Sequence, residues 1–362
     1  MTRFRMISRC GEGLALLRRI QSEGYDCDFW VRPGIARELY AGLIPRVDIW
    51  RDGLDHETVV LFDSPGSGKT VAEIPRSWGA GALNDVLQFD RGFGMGIARI
   101  HGLNVPKEED QGPDQTDDSL TLQAWYVRGE LVPGSLFSTI EQNHFLAGNY
   151  GPRCQPPLCL GWFWRPKKKR DGEKSPTLYR QTLKRLEPFL LEQKYSGPLC
   201  LKLRMEKQSG KPVLLAVETG LRYPAIYAML EGLQGSIGEV LASLSQGEMP
   251  RLQASFDWLG VLALSVPPYP CYAGYANVGV GGDLLENPHV WPLDVKQVAG
   301  ENFTAGAHGI VAHVTARSAQ REALNPALYG LSERIQIADK QVRNDGVDGD
   351  DVFGVLRTWH YF

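Results

Sequence analysis

No stretch of this 362-residue sequence approaches the ~20 consecutive apolar residues that a membrane-spanning helix needs. The opening residues, Met1-Thr-Arg-Phe-Arg5, also lack the apolar run of a secretory leader, so the expectation is a cytoplasmic protein with no membrane partner. Cysteine is sparse. The six are Cys10, Cys27, Cys154, Cys159, Cys200 and Cys271; none forms a Cys-x-x-Cys pair, and no histidine lies near them at zinc spacing. That argues against a structural zinc site and for reduced thiols. An excess of either charge is missing too: 39 Lys and Arg stand against 42 Asp and Glu, a formal net charge of -3. Nucleic-acid binding would therefore need a local basic patch. What the chain has in quantity is 40 Gly and 23 Pro, which suits a loop-rich α/β enzyme of two or three subdomains.

Residues 4–8 (Phe-Arg-Met-Ile-Ser) predict a strand and Arg9-Cys10-Gly11-Glu12-Gly13 a turn. Leu14, Leu16, Leu17 and Ile20 then recur at helical spacing until Gly24, and residues 28–31 predict a second strand. This is a βαβ opening whose turn can offer backbone N–H groups to a phosphate. The Gly-x-Gly-x-x-Gly fingerprint is not completed, because Leu16 stands where its last glycine belongs. A third strand, residues 58–63, runs into Ser64-Pro-Gly-Ser-Gly-Lys-Thr70. It imitates a phosphate loop, yet Asp63 replaces the first glycine and Pro75 interrupts the helix that should follow. The expectation is a plain glycine turn.

Next come Trp78-Gly-Ala-Gly81, then Leu83-Asn-Asp85, a helix ending near His101, and a Gly102-Leu-Asn-Val-Pro106 exit. This succession resembles the close of the N-terminal domain in phosphoribosylamine–glycine ligase (glycinamide ribonucleotide synthetase), of the ATP-grasp superfamily. There the Val-Pro exit leads to a small lid that clamps ATP. Here residues 107–118 are acidic, contain Pro and Gly, and have no apolar side chain, which predicts a linker. Residues 120–132 predict a β-hairpin turning at Gly129, and they resemble the strand pair just past the lid. The resemblance thus implies a compact, bacteriophage-like form without the lid.

The resemblance continues to the end of the chain. Ser138 to Pro152 is similar to the family loop that holds glycine and a ribose phosphate. It implies substrate contacts at Glu141, Asn149, Gly151 and Pro152, with the fork of Arg153 either gripping an anion or lying in solvent. Val213 to Pro224 resembles the family's Glu-x-Asn-x-Arg metal strand. Glu218 and Arg222 match and become the catalytic candidates, while Gly220 replaces the Asn, so no metal site is expected and magnesium and ATP are both in doubt. A strand's period of two would put Glu218 and Arg222 on one face, where they could pair. His313 in its apolar strand predicts a core histidine.

One segment falls outside the resemblance. Trp162-Phe-Trp164 precedes Lys167, Lys168, Lys169 and Arg170. This is either a core strand followed by a solvated basic turn, or a base-stacking platform with phosphate-neutralising charges for DNA.

The expected fold is α/β: a Rossmann-like domain (1–106), the linker (107–119), an ATP-grasp-type sheet domain (120–255) and a small C-terminal α+β lobe (256–362). The resemblance implies a reduced ligase or transferase, degenerate for ATP and related to purine biosynthesis. It would bind a small amine or amino acid and a phosphorylated sugar or nucleotide. Compact relatives near base-modification genes in bacteriophage make a DNA base a further acceptor. The alternative is a non-catalytic binding or structural protein on a ligase scaffold.

Overall fold

The computed structural model describes residues 2–35, 37–64, 74, 76–106, 119–165, 167–169, 172–174, 177–255, 257–346, 350–358 and 361. The side chains of 167–169, 172–174, 350 and 351 are outside that description. The imitation phosphate loop beyond Ser64, Pro75, the 107–118 linker and Arg170 lie outside the described residues.

The chain opens as expected, with strand β1 (Arg3–Ser8), helix α1 (Leu14–Ser22), β2 (Asp26–Val31) and β3 (Thr58–Phe62). They form a parallel sheet in the order β2-β1-β3, with Phe4 opposite both Cys27 and Val59. Leu14, Leu16, Leu17 and Ile20 are all buried, so the helical spacing is that of a face packed on a core. The helix expected to end near His101 is two helices, α2 (Ala82–Phe89) and α3 (Arg91–Ile100). Asp90 breaks them apart because its carboxylate accepts from the Phe93 N–H at 2.9 Å and so caps the second.

The large sheet is antiparallel. Its strands are β4 (Ser119–Val127), β5 (Glu130–Leu131), β6 (Phe137–Leu146), β7 (Tyr150–Phe163), β10 (Gly197–Met205), β11 (Pro212–Thr219), β14 (Trp258–Ser265), β16 (Val290–Pro292) and β19 (Ile310–Ser318). Their order is β11-β10-β4-β6-β7-β14-β19-β16, with β5 on β4. The sheet runs unbroken across residue 255, since β7 pairs with β14. The hairpin at Gly129 forms because Arg128 (φ 50) and Gly129 (φ 86) both take the left-handed backbone that a two-residue turn requires.

Between these strands lie the hairpin β8 (Lys167–Lys169) and β9 (Gly172–Lys174), helices α4 (Thr177–Gln181), α5 (Leu183–Glu192), α6 (Ala225–Gly232) and α7 (Ile237–Ser245), and the bridge of β12 (Leu233–Gln234) with β13 (Gln253–Ala254). A second sheet, β17 (Val295–Val298), β18 (Glu301–Thr304), β15 (Gly279–Gly282) and β20 (Ile335–Ile337), serves the C-terminal part with α8 (Leu324–Glu333) and α9 (Asp350–Thr358). The segment between β2 and β3 is fastened to the second sheet by main-chain bonds. The Tyr40 N–H donates to the Val295 carbonyl and the Gln297 N–H to the Ala41 carbonyl, both at 2.8 Å. The helix α6, buried except at Glu231, lies under the large sheet beside the β1–α1 turn, and its Tyr227 hydroxyl donates to the Glu12 carbonyl at 2.7 Å.

Candidate functional site

Three candidate residues meet at one end of the large sheet. Glu218 is next to last in β11, with Cys200 of β10 opposite it. Glu141 lies on β6 opposite Cys159 of β7 and is 9% exposed. The Arg222 guanidinium donates Nη2 to Glu141 Oε2 at 2.5 Å and Nη1 to Glu218 Oε2. Burial alone would lower its pKa, but the two carboxylates outweigh that and hold it well above its usual value. The reason given above for the Glu218–Arg222 pair needs correction. The strand ends at Thr219 and the chain turns through Gly220 (φ 84), so Arg222 reaches Glu218 from beyond the strand and not along one strand face.

The β1–α1 turn also departs from expectation. Its N–H groups do not wait for a phosphate, because the Asp63 carboxylate already occupies them. Asp63 accepts from the N–H groups of Arg9 (3.0 Å), Gly11 (3.2 Å) and Gly13 (3.3 Å), and from the Ser8 hydroxyl. A Cβ at Gly13 would lie 2.8 Å from the Asp63 Cβ, so the turn closes around the carboxylate only with glycine there. Asp63, read above as a defect in a phosphate loop, is the internal anion of a different loop.

The remaining candidates are strung along β7. Asn149, Gly151, Pro152 and Arg153 sit at or beside the tip of the β6–β7 hairpin, and Arg153 is six residues from Cys159, about 20 Å along a strand. Asn149 is exposed. Its Oδ1 accepts from Arg343 at 2.9 Å, and the same guanidinium holds Asp345, the His144 carbonyl and Gln142. At the other end of β7, Trp162, Phe163 and Trp164 are buried. Trp164 is 8% exposed and donates its indole N–H to Ser138 at 2.8 Å, which corrects the stacking-platform reading in favour of a core residue. The backbone of Lys167, Lys168 and Lys169 forms β8.

Residues not singled out above complete the site. Glu12, in the β1–α1 turn, is pushed up to about 7 by burial, with the Asp63 charge adding to it and a Cys10 hydrogen bond opposing. Tyr223, beside Arg222, has a buried hydroxyl with no partner among the described residues. His308 is placed by Asp294, a fully buried carboxylate that accepts from the N–H groups of Ala307, His308 and Gly309 at 2.8–2.9 Å. Burial lowers the His308 pKa against the pull of Asp294 and Asp63. Its Nε2 lies where a Cβ on Gly11 would be 2.9 Å away. The one available signal was an acid inside a glycine turn, at Glu12. Among the described residues no three His, Cys, Asp or Glu side chains gather as a metal site.

No protein-family model and no curated protein sequence matches the chain. Solved structures do. A phosphoribosylamine–glycine ligase from Thermotoga maritima superposes with a TM-score of 0.70 at 15% identity, over 96% of this chain and 100% of that one. The biotin carboxylase subunit of a pyruvate carboxylase gives 0.63 at 9% identity, over 94% and 92%. An L-amino acid ligase from Bacillus licheniformis gives 0.52 at 12% identity, over 93% and 98%. The chain has the ATP-grasp type of fold.

Proposed function

We propose that the chain is a ligase- or transferase-like enzyme on an ATP-grasp-type fold that works without ATP. It binds a small amine or amino acid and a phosphorylated sugar or nucleotide between the N-terminal sheet and the large sheet. The observation that carries this reading is Arg222 held between Glu141 and Glu218. A magnesium ion between ATP phosphates needs oxygen donors free to face it. Here one guanidinium takes an oxygen from each carboxylate, and Gly220 has no side-chain donor to add. That donor set does not fit a resident magnesium unless Arg222 is expelled.

The spacing of elements supports the same reading. Eighteen residues separate Ile100 from Ser119, fewer than the roughly 30 of a single βαβ unit and too few for an α+β lid. A partner activated before it binds would remove the need for ATP: the amine displaces its phosphate, and the new bond to nitrogen replaces the bond to phosphate oxygen. A DNA base is the further acceptor in this reading, served by the basic run 167–170 and not by Trp164. The filled β1–α1 turn and the Arg343–Asn149 bond favour a second reading, a binding protein on a ligase scaffold.

Thermal-shift titration with glycine, ribose 5-phosphate, magnesium–ATP and an oligonucleotide tests the reading. Stabilisation by glycine or ribose 5-phosphate, but not by magnesium–ATP, is expected. Stabilisation by none of the four small or nucleic ligands leaves the scaffold reading.

A further inference from the structure

We propose that the seam where Glu12 meets Tyr223 and His308 binds the ammonium group of a small primary amine. The inference deepens the proposed function and rests on its amine-binding half.

Three kinds of observation converge there. Glu12 pairs with no lysine or arginine among the described residues; its side chain has a hydrogen bond with Cys10, and the Asp63 charge is close by. Two buried polar atoms on the neighbouring segments have no hydrogen-bond partner among the described residues: the Tyr223 hydroxyl, and Nε2 of His308, which lies against Gly11. Tyr223 lies within electrostatic reach of Glu12, Asp63 and Cys10. Orphaned buried polar atoms are rare in native proteins, and two near one place mark a missing water or ligand.

The chemistry of the set selects the ligand. A carboxylate, a phenol oxygen and a neutral imidazole nitrogen are three acceptors, which is what the three N–H donors of an ammonium group need. Among the described residues, the N–H groups of Arg9, Gly11 and Gly13 that could hold an anion are already taken by Asp63. The three acceptors come from the β1–α1 turn, from the segment after β11 and from the loop before β19, so the site exists only where the lobes meet. Tyr223 adjoins Arg222, which sets the amine beside the Glu141–Arg222–Glu218 group.

Among the groups facing Glu12 whose pKa is displaced, burial moves each toward its neutral form. Burial raises Cys10, Tyr223, Tyr227 and Tyr269, and it lowers His308 and pushes His313 down to about 3. Asp63 and Asp294 face the seam as carboxylates already held by backbone N–H groups.

The test is calorimetric titration of the full chain with ethanolamine, a cation across the range used, and with its neutral isostere ethylene glycol. Ethanolamine should bind, and about tenfold more tightly at about pH 8 than at about pH 6, as expected for one carboxylate ionising near 7. Glu12→Gln should weaken it at least about tenfold and flatten the pH dependence. Tyr223→Phe, which removes one oxygen and keeps the ring, should weaken it several-fold and covers the case in which Glu12→Gln does not fold. No ethanolamine binding by the wild type, equal binding by folded Glu12→Gln, or equal binding of ethylene glycol would overturn the proposal. Failure of the ATP-independent reading shows separately, as tight magnesium–ATP binding with the amine result intact.

Discussion

Removing the Asp63 carboxylate should turn a filled anion site into an open one. In the wild type it accepts from three backbone N–H groups and the Ser8 hydroxyl at the start of α1. Hydrogen bonds to a charged group are worth about 1.5–3 kcal/mol each. They are not additive around one acceptor, and water can reach the emptied turn. A net loss of about 3 kcal/mol is therefore expected for Asp63→Ala. The three N–H groups then point at empty space at a helix N-terminus, which is the geometry that binds phosphate. At a phosphate concentration about 100 times its Kd, ligand binding returns about 2.7 kcal/mol. Urea unfolding of both proteins, with and without inorganic phosphate, measures this, and the wild type serves as control for the general stabilising effect of the salt. Equal phosphate stabilisation of the two proteins, or a variant as stable as the wild type, would refute the account of the turn.

Trp164→Ala should cost about 3–5 kcal/mol in urea unfolding, because it empties a buried indole site; a loss within the error of the method would return Trp164 to the surface. Arg222→Met should cost about 3–5 kcal/mol by the same assay, since it strands Glu141 and Glu218 without their cation. A neutral result would mean that the pair is solvated. Stability should also fall as pH rises toward 8. Glu12 is held at about 7, above its unfolded value, so folding favours its protonated form. The contribution is full at low pH and is lost as pH climbs from the ordinary carboxylate range through about 7, an effect of about 3 kcal/mol. Glu12→Gln should remove that slope, and an unchanged slope would count against the burial of Glu12.

Much of the fold was legible because it is local. The spacing of Leu14, Leu16, Leu17 and Ile20 marks a helix face, and Gly129 between two apolar runs marks a hairpin. Trp162-Phe-Trp164 was ambiguous for a physical reason: a core strand and a stacking platform have the same composition, and only the Trp164–Ser138 bond decides between them. The helix break at Asp90 could have been read from its capping chemistry, since Asp is a favoured N-cap. The site was less legible because its logic is non-local. Asp63 reaches the first turn because β3 lies beside β1, a parallel pairing of segments 55 residues apart. Arg343 binds Gln142 across 201 residues, and no spacing rule connects them. The Glu218–Arg222 pair was anticipated for the wrong reason, since a turn at Gly220 and not a strand period brings them together.

The central claim is that Arg222 stands where a magnesium–ATP complex would need free carboxylates. Isothermal titration of the full chain with magnesium–ATP tests it most directly. The account predicts no binding tighter than about millimolar, roughly -4 kcal/mol. A dissociation constant near micromolar, lost in Glu218→Gln, would contradict it and make the chain an ATP-using ligase.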